Sequence, residues 1–426
     1  MPNLRSLFAD TRPLQNPHYR RLWTANIVTV IGAQLTVVAV PAQIYEITRD
    51  SAYVGLTGLF GLVPLIIFGL WGGALADTFD RRKILVVSTL GIILTSAMFL
   101  AIAATGFDNV WAILFVFALQ QACFGINQPT RAAVLPRILP TEQLPAANAL
   151  NMTVMMFGAI AGPLVGGALI PITGYALLYL IDTVLLFFTM WAVIKLPALP
   201  SLHDMGSPGL RSVIDGFKYL AGHKVLLMSF VVDLIAMGFG MPRALFPEIA
   251  SVSFGGPPGG GLAFALLFAA IPAGAVLGGV FSGWVSRVER QGLAVVVAIL
   301  FWGAAITGFG LALLPAGGRL LPWLPLAIFF LVVAGAADMS SAAFRSTMLQ
   351  EAASDEVRGR LQGVFTVVVV GGPRVADVLH GAAGSAWGAT PATIGGGVLV
   401  IVGVLLATIL APIFVRYRVI RASGDS

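Results

Sequence analysis

Charge is scarce in this chain. Asp, Glu, Lys and Arg make up 10% of 426 residues while 58% are hydrophobic, against about a quarter charged in ordinary soluble domains. That excludes a soluble globular surface. Cysteine is nearly absent as well: Cys123 stands alone in an apolar run, so no disulfide framework is available. Four scattered histidines and one cysteine supply neither a nucleophile with its base nor a metal cluster, so an enzyme, a metal site and a cofactor are not expected. No GxxxxGKS or GxxxxGKT loop occurs, so the chain carries no phosphate-binding motor of that type. The net charge of +6 and pI near 9.8 would suggest nucleic acid only if the bases clustered on a folded soluble face. No such domain is present, and no nucleic-acid partner is expected.

What is abundant is long apolar sequence, with a mean hydropathy of +0.92 and 49 glycines. About 20 apolar residues span the hydrocarbon of a bilayer, and unalternating runs of that length read as helices. Twelve are recognised, starting near Leu22, Val54, Ile84, Val110, Leu144, Tyr175, Val225, Leu262, Leu293, Pro322, Leu361 and Ile394. The expected class is an all-α membrane protein. Its first twenty or so residues are polar and the first apolar run is too long for a signal-peptide core, so they read as a cytoplasmic lead-in. With the N-terminus inside, all but four of the 25 lysines and arginines fall in cytoplasmic segments, Arg131 and Arg345 counted among them. Both termini are then cytoplasmic.

The longest loop, residues 195–224, divides the spans six and six and reads as a linker with an amphipathic surface helix. The expected domains are residues 1–194, that linker, and residues 225–426. The halves resemble each other in order. Gly72, Gly73 and Arg81 lie over Gly278, Gly279 and Arg287 at an offset of 206; Arg131, Leu135 and Glu142 lie over Arg345, Leu349 and Glu356 at 214; Gly162 and Pro163 lie over Gly372 and Pro373 at 210. Three matches at nearly one offset point to two pseudo-symmetric six-helix repeats, an arrangement common among secondary transporters.

The stretch Gly73-x-Leu75-Ala-Asp77-x-x-Asp80-Arg81-Arg82-Lys83 resembles the signature loop of the major facilitator superfamily, with Asp80 where that pattern usually has glycine. Together with LVPLIIFGLWGG, MPRALFP and GGPR, it is similar to the superfamily's enterobactin-exporter-like and drug:proton antiporter branch. The resemblance covers essentially the whole chain. It implies a latch in which Asp77, with Arg81 beside it, engages Arg358, Arg360 and the start of span eleven; the competing reading makes Asp77 a turn cap. Gly158-x-x-x-Gly162-Pro163-x-x-Gly166-Gly167 resembles the superfamily's antiporter motif in span five. Its fourfold glycine spacing leaves a bare helix face, as do Gly274 and Gly278 in span eight. Packed together, these spans would make a smooth interface between the halves, or else serve ordinary helix packing. Many proton-coupled drug exporters of that superfamily carry an arginine in span four, but register with Gly125 puts Gln121 there, beside Gln120.

Ionisable groups inside spans are costly and mark pathways or pairs. The candidates for coupling are Asp233, Arg243, Asp338, Arg374, Asp377 and His380, with Asp182 expected to be structural. At 1.5 Å per residue, Asp233 and Arg374 lie roughly 12 and 20 Å from their cytoplasmic starts, and Arg243 and Asp377 roughly 27 and 24 Å. Two cross-helix pairs are therefore expected, Asp233 with Arg374 and Arg243 with Asp377. Asn26, Gln34, Gln120, Gln121 and Asn127 are candidates to line a cavity or to bond neighbouring helices.

The resemblance implies a monomeric transporter in a bacterial inner membrane, surrounded by lipid, that exports small amphipathic compounds such as drugs or siderophores against a flow of protons. A narrow-specificity lipid, lysolipid or metabolite carrier and a non-transporting sensor are the alternatives. In a background lacking Cys123, a cysteine placed by Ser207→Cys should react only with membrane-permeant reagent, and modification by an impermeant external reagent would reverse the assigned orientation.

Overall fold

The computed structural model describes residues 10–200, 218–352 and 355–418. The side chains of Asp77, Arg358 and Arg360 lie outside the described ones, as does most of the expected amphipathic helix of the linker, so neither the latch nor that helix is described. The described residues form helices and no strands. The main helices are α1 (Pro17–Thr48), α2 (Ser51–Thr78), α3 (Arg81–Thr105), α4 (Val110–Ile138), α5 (Leu144–Ile194), α6 (Lys224–Gly240), α7 (Leu262–Val280), α8 (Gln291–Leu313), α9 (Trp323–Ala352), α10 (Asp355–Trp387) and α11 (Ala389–Leu410).

Ten helices among the described residues are long and apolar enough to cross a membrane. α5 counts once among them although its 51 residues would span about 75 Å, more than twice a hydrocarbon core. It breaks at Gly174, whose φ of 71° is a left-handed conformation that glycine enters without steric cost. Counting the second arm of α5 separately and including the 33-residue α10 are the two additions that the twelve-span reading makes to those ten. Large apolar side chains such as Ile172, Phe301, Trp387 and Leu410 stand exposed, as expected of helices whose outer faces meet lipid rather than water.

The chain forms two compact units. The first comprises Met1–Thr48, Phe60–Gly209 and Gly259–Ala265; the second comprises Arg49–Leu59, Leu210–Pro258 and Leu266–Ser426. In the first unit the α2–α3 turn is held by its charges. Asp80 caps α3, its carboxylate accepting the Arg82 N–H at 2.9 Å and the Leu199 N–H at 3.3 Å. Such a cap contributes about 1 kcal/mol. Arg81, expected in the latch, donates its backbone N–H to Leu199 O at 3.1 Å and its Nη1 to Ala133 O of α4 at 3.1 Å.

The glycine stripes pack against other helices of their own unit. Gly158, Gly162 and Gly166 lie against Val30, Gln34 and Leu35 of α1, and Pro163 is buried beside them. Only Gly167 meets the α7 end, resting on Ala265 and accepting the Gly261 N–H at 2.8 Å. In the second unit Gly274 and Gly278 of α7 lie against Val332 and Ala336 of α9. The stripes thus join helices within a unit: fourfold spacing creates a bare face but does not choose the helix that fills it.

α6 stops at Gly240, where the Trp302 indole crosses the backbone and donates to Ala236 O at 3.2 Å. The chain continues through short turns at Arg243–Leu245 and Phe246–Glu248 and a π turn at Ile249–Ser253. Pro242 has no N–H to continue the helix.

A Cβ at Gly274 would run into the Val332 carbonyl, a backbone group that cannot give way, whereas at Gly279 the nearest neighbour is the tip of Met339 at 3.8 Å. Gly274→Ala should therefore lower thermal stability in detergent, by about 1–3 kcal/mol, and Gly279→Ala should leave it near wild type.

Candidate functional site: buried charges in each unit

In the second unit α6 carries Asp233 near its middle, 2% exposed. It forms an ion pair with Arg345 of α9, itself 5% exposed. The expected partner, Arg374, is elsewhere: its Nη1 points to Thr57 O at 3.5 Å, and it lies within electrostatic reach of Arg243 and Asp377. Arg345 escaped the sequence reading because it was assigned to a cytoplasmic segment, whereas α9 runs on to Ala352 and carries it two turns inside the helix. Asp338, two turns earlier on α9 and half-buried, feels the charges of both Arg345 and Asp233. One carboxylate thus pairs with the guanidinium and a second lies within its electrostatic reach.

A second cluster follows the α6 break. Arg243 Nη2 meets Asp377 Oδ2 of α10 at 2.7 Å, while Asp377 Oδ1 is buried without a hydrogen-bond partner. His380, one turn further along α10, bonds through Nε2 to Phe239 O at 2.9 Å, so its Nε2–H donates. Gly55 and Gly58 of α2 admit the backbone of α10 at Asp377 and Arg374. Nearby, Glu248 accepts from the Ser51 hydroxyl and from the Ala389 N–H at 3.1 Å, placing its charge at the positive end of α11. Sequence reasoning missed Glu248 because its only signal was an acid beside a proline.

The first unit is built differently. Asp182 accepts the hydroxyls of Thr36 and Ser96, each at 2.9 Å, and Thr183 donates to Ser96 at 2.9 Å. No cation among the described residues pairs with it. Asn127 donates to Ser88 Oγ at 2.9 Å and Thr89 Oγ1 at 3.2 Å, Gln34 packs under Gly162, and Gln120 and Gln121 are buried. Asn26 accepts a hydrogen bond from Arg131 Nη1 at 2.7 Å. Arg131, like Arg345, lies within its helix rather than in a loop, so α4 does carry an arginine, deeper in sequence than the Gln121 position. The available signal was the repeat itself, which superposes Arg131 on Arg345.

No group of side chains that could hold a metal ion occurs among the described residues. The arrangement is one of helices enclosing paired and half-paired charges. The sequence profile of the transmembrane secretion effector family matches residues 8–417. The chain belongs to that family, within the major facilitator superfamily. It is therefore a multi-pass membrane transporter rather than an enzyme.

Among this transporter's relatives, the enterobactin exporter EntS of Shigella dysenteriae serotype 1 (strain Sd197) is 29% identical over 411 residues, covering 93% of this chain and 92% of the exporter. EntS of Escherichia coli O1:K1 / APEC has the same identity and coverage. Solved structures agree on the fold alone. The nucleoside transporter NupG, as a point mutant, superposes with a TM-score of 0.75 at 10% identity, covering 92% of this chain and 99% of that one. A bacterial homologue of the lysosomal transporter Spinster gives 0.71 at 14%, covering 97% and 100%, and one of the iron transporter ferroportin gives 0.67 at 15%, covering 94% and 98%.

The pairing in the second unit has a measurable consequence for the transporter. Asp233→Asn or Arg345→Gln alone leaves a buried charge uncompensated and should cost about 3–5 kcal/mol, read as a lowered melting temperature in detergent. Combining the two should recover most of that loss, whereas Asp233→Asn with Arg374→Gln should not.

Proposed function

We propose that this transporter exports a small amphipathic compound of the drug or siderophore class in exchange for protons. The moving bodies are the six-helix bundles of residues 1–194 and 225–426, joined by the 195–224 linker, with both termini on the cytoplasmic side of the inner membrane. Export is supported by the secretion family and by the exporter relatives that match nearly end to end. Proton coupling is supported by one observation above the others, the buried Asp233–Arg345 ion pair with a second carboxylate, Asp338, two turns from Arg345 on α9 and within electrostatic reach of both. Two carboxylates and one guanidinium leave a surplus negative charge inside the bundle, where charge is expensive. Taking up one proton removes the surplus, and releasing it restores the charge, so the group changes its electrostatics with each proton it carries. Asp338 is the carrier in this scheme, since Asp233 has the direct ion pair. Arg243, Arg374, Asp377 and His380 form the second group through which coupling can run.

The test uses the purified full chain in vesicles, with a panel of fluorescent dyes and catecholate siderophores and an imposed proton gradient. Wild type should accumulate at least one compound only while the gradient lasts. Asp338→Asn should largely abolish gradient-driven movement yet retain counterflow of the same compound. Full gradient-driven activity in Asp338→Asn would move coupling to Asp377 and His380.

A further inference from the structure

The two repeats place an arginine at the same position and give it different partners. Arg345 on α9 pairs with Asp233 on α6; Arg131 on α4 bonds Asn26 on α1. The arginines are 214 residues apart and their partners 207, within the range of offsets that superposes the halves. What is a carboxylate in the second half is thus an amide in the first. An amide oxygen accepts a hydrogen bond but brings no charge, so the Arg131 guanidinium has no counter-ion among the described residues. Its Nε is buried with no hydrogen-bond partner at all.

That guanidinium borders a cavity of about 80 Å³, room for two or three waters or for one small polar group. Its polar wall is made by Asn26, Thr29, Asn127, Gln128 and Arg131, and its apolar wall includes Phe124 and Leu186. A half-buried cation without a counter-ion is costly inside a membrane protein, and a guanidinium with a buried, unused donor matches carboxylate oxygens better than any neutral ligand. The mixed walls suit an anionic group attached to an apolar or aromatic body.

We propose that this cavity, with Arg131 as its charge and Asn26 as the group that holds the guanidinium in place, receives the anionic end of the transported compound, a carboxylate or an ionised phenol. The proposal rests on the export reading above and narrows it to acidic amphipathic compounds. The Asp233 and Arg345 pair of the other half is its neutralised counterpart, so the matching position there offers an anion no unpaired guanidinium.

The test is a binding measurement on the purified full chain in neutral detergent, which requires no transport and no gradient. The probes are 2-naphthoate and its uncharged counterpart of the same shape, 2-naphthamide, titrated by calorimetry. Wild type should prefer the anion by about tenfold, the scale of one charge-assisted hydrogen bond. Arg131→Gln should remove the preference, and Arg131→Lys should keep part of it. Asn26→Asp is the sharper variant: it rebuilds in the first half the ion pair of the second, so it should melt no lower than wild type and lose the preference. Equal binding of both probes by wild type, or an unchanged preference in Asn26→Asp or Arg131→Gln, would overturn the proposal. So would loss of the preference when inorganic phosphate or phosphatidylglycerol is added at concentrations far below that of naphthoate, because the site would then serve a phosphate or lipid headgroup. Failure of gradient-driven export in vesicles with an intact tenfold preference would instead overturn only the coupling scheme.

Discussion

Hydrocarbon offers no water to a polar group, and the structure follows from that condition. Each backbone N–H and C=O inside the bilayer needs a partner within the chain, which leaves helices as the solution for long unalternating runs. Where a helix stops early, something else takes over its polar groups: Trp302 donates to the Ala236 carbonyl at the end of α6, and Asp80 accepts two N–H groups at the start of α3. The same condition governs side chains. Asp233, Asp377 and Arg345 have ionic partners, Asp182 has hydroxyls, and Glu248 has a hydroxyl and a helix end.

Lipid also removes the usual driving force for helix packing, since one apolar face is as comfortable in lipid as against a neighbour. Close approach then depends on small residues and dispersion. α5 lies on α1 along Gly158, Gly162 and Gly166, and α7 lies on α9 along Gly274 and Gly278. These contacts are internal to each unit. Gly55 and Gly58 let α2 approach α10 beside the Arg243 and Asp377 pair, so a packing device and a charge cluster occupy one place in the second unit.

A duplicated fold lets one position acquire two chemistries. Arg131 and Arg345 are matched by the repeat in sequence, yet one faces an amide and the other a carboxylate. Asp338 lies within electrostatic reach of the latter site, so the arginine of the first unit has no carboxylate beside it among the described residues while that of the second has one paired and one nearby. The proposed exchange of an anionic compound for protons would use both kinds of site, and a single substitution from Asp to Asn or the reverse is enough to separate them.

The sequence by itself determined the class of this protein. Run length, the near absence of charge within the runs, the bias of lysine and arginine and the signature around Asp80 and Arg81 are one-dimensional properties, and hydrocarbon permits only one backbone answer to them. The repeat was equally legible, because matched residues keep their order along the chain. What the sequence did not determine was which face meets which. Glycine spacing could not tell α1 from α7 as the neighbour of α5, and depth along a helix could not tell Arg345 from Arg374 as the partner of Asp233. Both depend on the rotation of each helix about its axis and on where it ends. α9 extends past Arg345 and α4 past Arg131, which turns one apparent loop charge into a buried one and the other into a half-buried one. Only the tertiary structure decided that, because the energy of a buried charge depends on what stands within a few ångströms of it, not on its place in the chain.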